Sequence, residues 1–324
     1  MEERRRRLAE DLNDAIEGEL RVDRVAVSAY ATDASLYEIE PLAVAFPRES
    51  RDVEILANYS ASNNIPLIAR GAGSGLAGGA IGSGIVVDFS RHMNTVVSIS
   101  SDRVRVQPGV VRETLNEKLR EYGRYFAPDP WNSRITTVGG MLGVDGAGSH
   151  AVRVGSARDH VESIECVLSG GQRLELGREM LIRQETVSDD QSLNRDSAVI
   201  LSDSAQSEAL QLTTMTAATR RTLLLQQLGR ILQDNEPLIR ELQPPLLRNC
   251  CGYQLRGVLR EDRLDLARML VGSEGTLGLF TEATLFTLPL PQFRSAAILM
   301  FSTLENAIQA MQLIRPSRWG DRHE

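Results

Sequence analysis

The sequence predicts an α+β fold in two sheet-bearing lobes: a small mixed sheet with helices over about residues 20–100, then a larger antiparallel sheet with helices over about 101–290. Three observations predict it. Short apolar runs alternate with helical periodicity between Leu42 and Ala69. Paired strand-like runs separated by turn residues recur at Val96–Gln107 and Val161–Leu176, as antiparallel hairpins require. Long glycine-rich stretches of neither periodicity interrupt both regions.

Taken in order, residues 1–24 form an N-terminal helical segment. Within it Glu2–Gly18 reads as amphipathic, with Leu8, Leu12, Ala15 and Ile16 on one face. Leu42–Phe46 is a short apolar strand ended by Pro47. Ser50 is placed to cap a helix that carries Val53, Leu56, Ala57 and Ser60 on one face and Asp52 in its first turn, and Asn63-Asn64 ends it. Ile65–Ala69 is another buried strand; the run Gly71–Gly79, with Gly82 and Gly84, then leads straight into the strand Ile85–Phe89. Val96–Ile99 and Arg103–Gln107 flank Ser-Ser-Asp, and Val111, Leu115, Leu119 and Tyr122 mark a helix with Gly123 at its C-cap. The loop Ala127–Pro130 opens a second glycine run, Val138–Gly155, followed by the hairpin Val161–Leu168 and Arg173–Leu176. Composition shifts at Gln184. A polar insertion spans about 184–245, richest in Ser, Asp, Gln and Thr up to Arg220 and helical in pattern over Thr222–Leu242. Leu255–Gly272 reads as largely helical, a third glycine run covers Gly272–Gly278, and Leu279–Leu288 alternates as a strand. Pro289 and Pro291 mark a boundary. Residues 291–324 read as the start of a C-terminal domain, a strand and a helix from Ala296, and about thirty residues cannot close a core. On this reading the chain is either cut or divergent at its end.

Composition narrows the chemistry. With 42% hydrophobic and 24% charged residues among 324, the chain has the make-up of a globular protein. A net charge of -7 gives no basic field for nucleic acid. Lys118 is the only lysine, so there is no P-loop GK[ST] motif, and a Schiff-base lysine would have to come from a charged surface helix. Cys166, Cys250 and Cys251 lack zinc spacing and are too few for an iron–sulfur cluster; the vicinal pair reads as buried thiols at a strand end. No metal site is expected. No signal peptide or membrane span is expected either, which makes a cytoplasmic location and not an integral membrane protein the default.

Gly73-x-Gly75-x-x-Gly78 has dinucleotide spacing, but a nicotinamide site needs a helix opening on the glycines, and here a strand follows. What the run offers is a series of bare backbone N–H groups able to wrap a pyrophosphate as a nest. At Gly75 a backbone angle closed to branched side chains is expected. Three glycine loops together imply backbone approaching one large, flat, phosphate-bearing ligand. Of the four histidines, His92 and His160 read as structural, His323 lies at the end, and His150 is the one placed among the glycines.

At this point the chain resembles the FAD-linked oxidases with the vanillyl-alcohol oxidase and p-cresol methylhydroxylase type of flavin domain, and most of all the D-lactate, glycolate and D-2-hydroxyglutarate dehydrogenase branch. The matching pieces are Tyr30–Tyr37, Pro41–Pro47, Arg70–Gly79, Val86–His92, Pro128–Pro130, Thr137–Met141, Gly155–Val161, Arg248–Tyr253 and Gly272–Glu282. The resemblance implies a two-subdomain FAD-binding domain over 25–290 and non-covalent FAD. Arg70, Gly71, Ala72, Gly73, Ser74, Gly75 and Leu76 would hold its pyrophosphate. Pro128, Asp129, Thr137, Gly139, Gly140, Met141, Asp145, Ala147, Gly148 and Gly155 would line pyrophosphate and isoalloxazine, and Glu274, Gly275 and Gly278 would close the wall. Asp145 replaces the family's usual asparagine, and a carboxylate cannot donate the hydrogen bond an amide can. The implied reaction oxidises a small 2-hydroxyacid to the 2-oxoacid, with electrons passed to a quinone, an iron–sulfur protein or another carrier. No catalytic residue is assigned. Two alternatives stay open: an FAD-binding electron-transfer subunit or fragment without its own substrate site, and a sugar or alcohol oxidase with covalent FAD on His92 or His150.

The stretch Gln184–Arg220 has too little apolar residue content to offset its ordering entropy. Limited proteolysis is expected to cut there first and to leave bound flavin in place; first cleavage within Gly71–Gly84 of the flavin-loaded protein would contradict this.

Overall fold

The computed structural model describes residues 1–180, 217–243, 251–261, 263–293 and 295–314. Most of the Gln184–Arg220 insertion, Cys250 and His323 lie outside them. The chain divides into two compact units, one of Met1–Gly177, Pro245–Gln254 and Leu266–Glu324, the other of Arg178–Pro244 and Leu255–Asp265.

The first unit starts with helix α1 (Glu2–Leu12), which buries Leu8 and Leu12. It stops well short of the Gly18 that periodicity suggested, because the amides of Ala15 and Ile16 both turn back to the Leu12 carbonyl. Strand β1 (Glu19–Arg21) follows, then helix α2 (Arg24–Ala29), capped by the Asp23 carboxylate, which accepts from Ala26 N–H at 3.1 Å. Strand β2 (Ala43–Phe46), helix α3 (Ser50–Asn63), strand β3 (Leu67–Arg70) and strand β4 (Ile85–Asp88) complete the lobe. The sheet order is β1-β2-β4-β3, with β2 and β3 parallel to β4 and β1 antiparallel to β2. β2 and β4 are buried at every position, as strands in the middle of a covered parallel sheet must be.

Ser50 does not cap α3. It is already the first helical residue, and its hydroxyl donates to Glu165 at 2.9 Å. The start of α3 is pinned instead by Asp52, a fully buried carboxylate that accepts the amides of Glu17 and Arg48, both at 2.8 Å. Asn64 ends the helix in the left-handed region, φ 50°.

The second sheet is antiparallel throughout. Strands β5 (Val96–Ile99), β6 (Arg103–Val106), β7 (Val161–Val167), β8 (Arg173–Leu176) and β9 (Leu279–Phe286) lie in the order β5-β6-β9-β7-β8. β9 sits at its centre, buried throughout Leu279–Thr281 and alternating from there to Phe286. Between β6 and β7 runs helix α4 (Arg112–Arg120), whose Leu115 and Leu119 are buried and whose Asn116 side chain both donates to and accepts from Phe126 backbone, at 3.1 and 2.7 Å. Helix Leu304–Ile314 buries none of its residues, and 295–303 do not form the strand expected from Ala296.

In the second unit, helices Ala217–Asp234 and Glu236–Leu242 accompany a three-stranded sheet in which Arg263–Asp265 pairs with both Arg178–Met180 and Leu259–Arg260. The expected helix over Leu255–Gly272 is therefore confined to Leu266–Leu270. Left-handed backbone at Gly257 (φ 76°) and Glu261 (φ 49°) breaks the earlier part into a tight turn. Among the described residues no helix is long and apolar enough to cross a membrane.

Replacing Asp52 by Ala removes two charge-assisted hydrogen bonds and leaves two amides without their acceptor. We expect a loss of about 2–3 kcal/mol in urea unfolding, against less than about 1 kcal/mol for Ser50→Ala; equal effects would show that Asp52 does not pin the helix.

Candidate functional site

The three glycine loops, far apart in sequence, meet in the first unit. The first, between β3 and β4, contains no helix. Among the described residues none of its amides from Gly71 to Gly79 donates a hydrogen bond. Such a loop must be held from outside. Arg70 does this: its guanidinium donates to the Thr32 carbonyl at 2.9 Å and the Ala80 carbonyl at 3.2 Å, and lies 4.8 Å from the Tyr30 ring centroid. Ala34 N–H donates to the Gly73 carbonyl at 3.0 Å, and Tyr30 OH donates to the buried Asp88 at 2.6 Å. Burial, and then that bond, push the Tyr30 phenol well above its ordinary range. Two bonds of Arg70 Nη1 thus tie the loop's ends to the Thr32 segment and shape it. Gly73 takes φ 63°, whereas Gly75 has ordinary backbone and nothing within 4 Å of a Cβ built on it, contrary to the backbone angle expected there.

The second loop opens as a short helix, α5 (Val138–Gly143), which its sequence did not announce. Thr137 Oγ1 accepts from Gly140 N–H at 3.3 Å, and Gly139 N–H donates to the Pro108 carbonyl at 2.8 Å. Any Cβ at Gly71 would collide with Thr137 Oγ1, which fixes how closely the first two loops approach. One at Gly148 would collide with Asp129. Part of this run's glycine density thus serves backbone packing within the protein. The amides of Ala147, Gly148 and Ser149 have no acceptor among the described residues. Met141 and Pro128 are buried, and Pro128 lends its carbonyl to Arg112 Nε at 3.0 Å. Gly155, at φ 80°, lies against Asp159. Asp145 is 2% exposed and bound to Arg158.

The third loop docks on the second: Gly272 N–H donates to the Leu142 carbonyl at 2.8 Å and Glu274 N–H to that of Gly143 at 2.9 Å. Tyr253 joins it through a 2.8 Å bond to the Thr276 hydroxyl. The Glu274 carboxylate comes within 3.7 Å of where a Cβ of Gly79 would stand. The amides of Gly275, Leu277 and Gly278 have no acceptor among the described residues.

The product is a junction rich in unbonded amides and poor in Cβ bulk, which fits a pyrophosphate without needing a lysine. Beside it lies a cleft of about 540 Å³ lined in part by Arg112, Asp129, His150 and Arg153. His150 Nδ1 bonds Asp129, with the histidine largely exposed, while His160 is buried with Nε2 on the Val154 carbonyl at 2.7 Å and its ring edge-on to Phe126, a packing role. Cys166 is inert, its thiol pushed up to about 12 by burial; Cys251 is exposed rather than buried and belongs to no strand. Sequence reasoning missed Thr32, Asp33, whose carboxylate accepts the Ala80 amide at 3.4 Å, and Arg158 as supports, because each acts through a long-range contact that no local pattern announces.

A family model described as an FAD binding domain matches residues 41–177. The chain is 32% identical over 299 residues to the D-2-hydroxyglutarate dehydrogenase of Pantoea ananatis, covering 90% of this chain and 26% of that protein. It is 33% identical over 294 residues to the enzyme of the same name from Escherichia coli K12, covering 89% and 26%. It is 24% identical to the glycolate oxidase subunit GlcD of Bacillus subtilis, covering 87% and 44%. The chain thus spans about a quarter of the length of the D-2-hydroxyglutarate dehydrogenases it matches. Among solved structures, an alkyldihydroxyacetonephosphate synthase superposes with TM-score 0.60 over 95% of this chain and 46% of its own, at 19% identity, a likeness of fold.

The contrast between Gly71 and Gly75 gives a test. Gly71→Ala overpacks Thr137 and should cost the unliganded protein about 1–3 kcal/mol in urea unfolding. Gly75→Val should leave that stability within about 0.5 kcal/mol yet weaken FAD binding about tenfold, or 1.4 kcal/mol, in a flavin-fluorescence titration. Unchanged FAD affinity in Gly75→Val would move the phosphate to another loop.

Proposed function

The chain belongs to the FAD-linked oxidase family, and from that premise we propose that its residues 25–290 hold FAD without a covalent bond, in a dehydrogenase that oxidises a small D-2-hydroxyacid to the 2-oxoacid. The supporting observation is the loop Gly71–Gly79, nine consecutive amides without an acceptor among the described residues, backed by the free amides of the other two loops. Bound FAD would supply the hydride acceptor, with electrons leaving to a quinone, an iron–sulfur protein or another carrier. The chain's own residues bind and orient: the first loop meets the pyrophosphate, and Asp129, Thr137, Gly139, Gly140, Ala147, Gly148, Glu274, Gly275 and Gly278 line the rest. Relatives named D-2-hydroxyglutarate dehydrogenase favour that acid, with D-lactate and glycolate as the nearest alternatives. A non-covalent bond is favoured by the engagement of His150 with Asp129, which ties up one ring nitrogen of the histidine in that run.

A second reading is an FAD-holding subunit that needs a partner to act on substrate; the naming of one relative as a subunit favours it. One experiment separates the two. Acid precipitation of the yellow protein should release all flavin to the supernatant, and anaerobic D-2-hydroxyglutarate should bleach the intact protein's flavin absorbance. Flavin retained in the pellet would overturn the non-covalent claim. Bleaching by dithionite but by none of D-2-hydroxyglutarate, D-lactate or glycolate would favour the subunit reading.

A further inference from the structure

Asp145 and Arg158 form an ion pair whose side chains are 3% and 4% exposed. Asp145 Oδ1 accepts the Arg158 backbone amide at 3.0 Å, its Oδ2 lies 3.6 Å from the guanidinium, and that guanidinium donates to the Val271 carbonyl at 2.8 Å. The pair therefore spans the second and third glycine loops: Asp145 sits two residues before the free amide of Ala147, and Val271 precedes Gly272. A Cβ at Gly272 would stand only 2.7 Å from Arg158 Nη2, so the loop passes directly over the guanidinium. A second observation is independent of the pair's charges. Asp145 (φ 51°) and Glu274 (φ 52°) are both non-glycine residues in the left-handed region, one in each loop. Such backbone persists where its surroundings over-determine it. A buried ion pair is a weak source of stability compared with apolar packing but a strong constraint on geometry, because both charges lose heavily if they separate.

We infer that Asp145 and Arg158 are positioning residues, whose buried ion pair fixes the separation of the second and third glycine loops and thereby the placement of the free amides of Ala147–Ser149 and Gly275 on the ligand. The inference rests on the FAD reading above. Lysine at 158 would keep the charge but lose the rigid planar group whose Nη2 lies between Asp145 and the Val271 carbonyl.

The test uses the full chain with Arg158→Lys and with the neutral pair Asp145→Asn/Arg158→Gln, which removes both charges and keeps hydrogen-bonding groups. Both variants should bind FAD about tenfold more weakly than wild type. At saturating FAD, the visible circular dichroism of the bound flavin should differ from wild type, a readout that a loss of stability alone does not move. If Arg158→Lys fails to fold, the neutral pair carries the test by itself. Wild-type affinity and wild-type dichroism in a folded variant overturn the inference while leaving the FAD reading intact. A wild-type protein that takes up no FAD overturns both.

Discussion

A loop whose nine consecutive backbone amides, Gly71–Gly79, find no acceptor among the described residues cannot hold its own shape, and much of the first unit is arranged around that constraint. Secondary structure normally consumes these donors; here they stay available, so order has to be imposed from neighbouring segments. The loop's two ends are fixed by parallel strands β3 and β4, which share a register from Leu67 with Ile85 to Arg70 with Asp88. Its flank is fixed by the segment that runs past Tyr30 and Ala34. Its far side is limited by Thr137, which allows no side chain at Gly71. The second and third loops repeat the pattern with fewer free amides and more internal bonding.

The side chain that performs most of this fastening is arginine. In a chain with one lysine, arginine reaches backbone carbonyls at several junctions: Arg5 at Leu42 and Pro41, Arg70 at Thr32 and Ala80, Arg112 at Pro128 and Phe126, Arg158 at Val271. A fork of donors can join two strands of irregular backbone at once, which a single ammonium does less well. Burial weakens the hold of Arg112 on its proton, the expected direction for a cation drawn out of water, with Glu113 opposing it.

Much of the fold was legible because it obeys local rules. The strands Ala43–Phe46, Ile85–Asp88, Val161–Val167 and Leu279–Phe286 stand where apolar runs or alternation put them, whereas α4 is capped at Glu121, two residues before the Gly123 expected there. What failed did so for tertiary reasons. Ser50 looks like a cap until Glu165, more than a hundred residues away, takes its hydroxyl. Leu255–Gly272 looks helical until Arg178–Met180 offers a strand to pair with. The site was legible as glycine-rich backbone, but its supports were not. Nothing local to Arg158 foretells Val271, and nothing local to Gly148 foretells how closely its backbone packs on Asp129.

The central place of β9 also governs the order in which the chain can acquire structure as it leaves the ribosome. The four-stranded sheet needs nothing beyond Asp88 and can close early. The five-stranded sheet cannot: β6 and β7 have no bond to each other, and each waits for residues 279–286. Until those residues emerge, two hairpins display open edges that invite pairing with other chains. The long sequence separation makes their eventual union slow. The charged ladder of Arg105, Glu175 and Glu282 along that surface disfavours such misjoining, since a wrong partner would bury those charges without their mates.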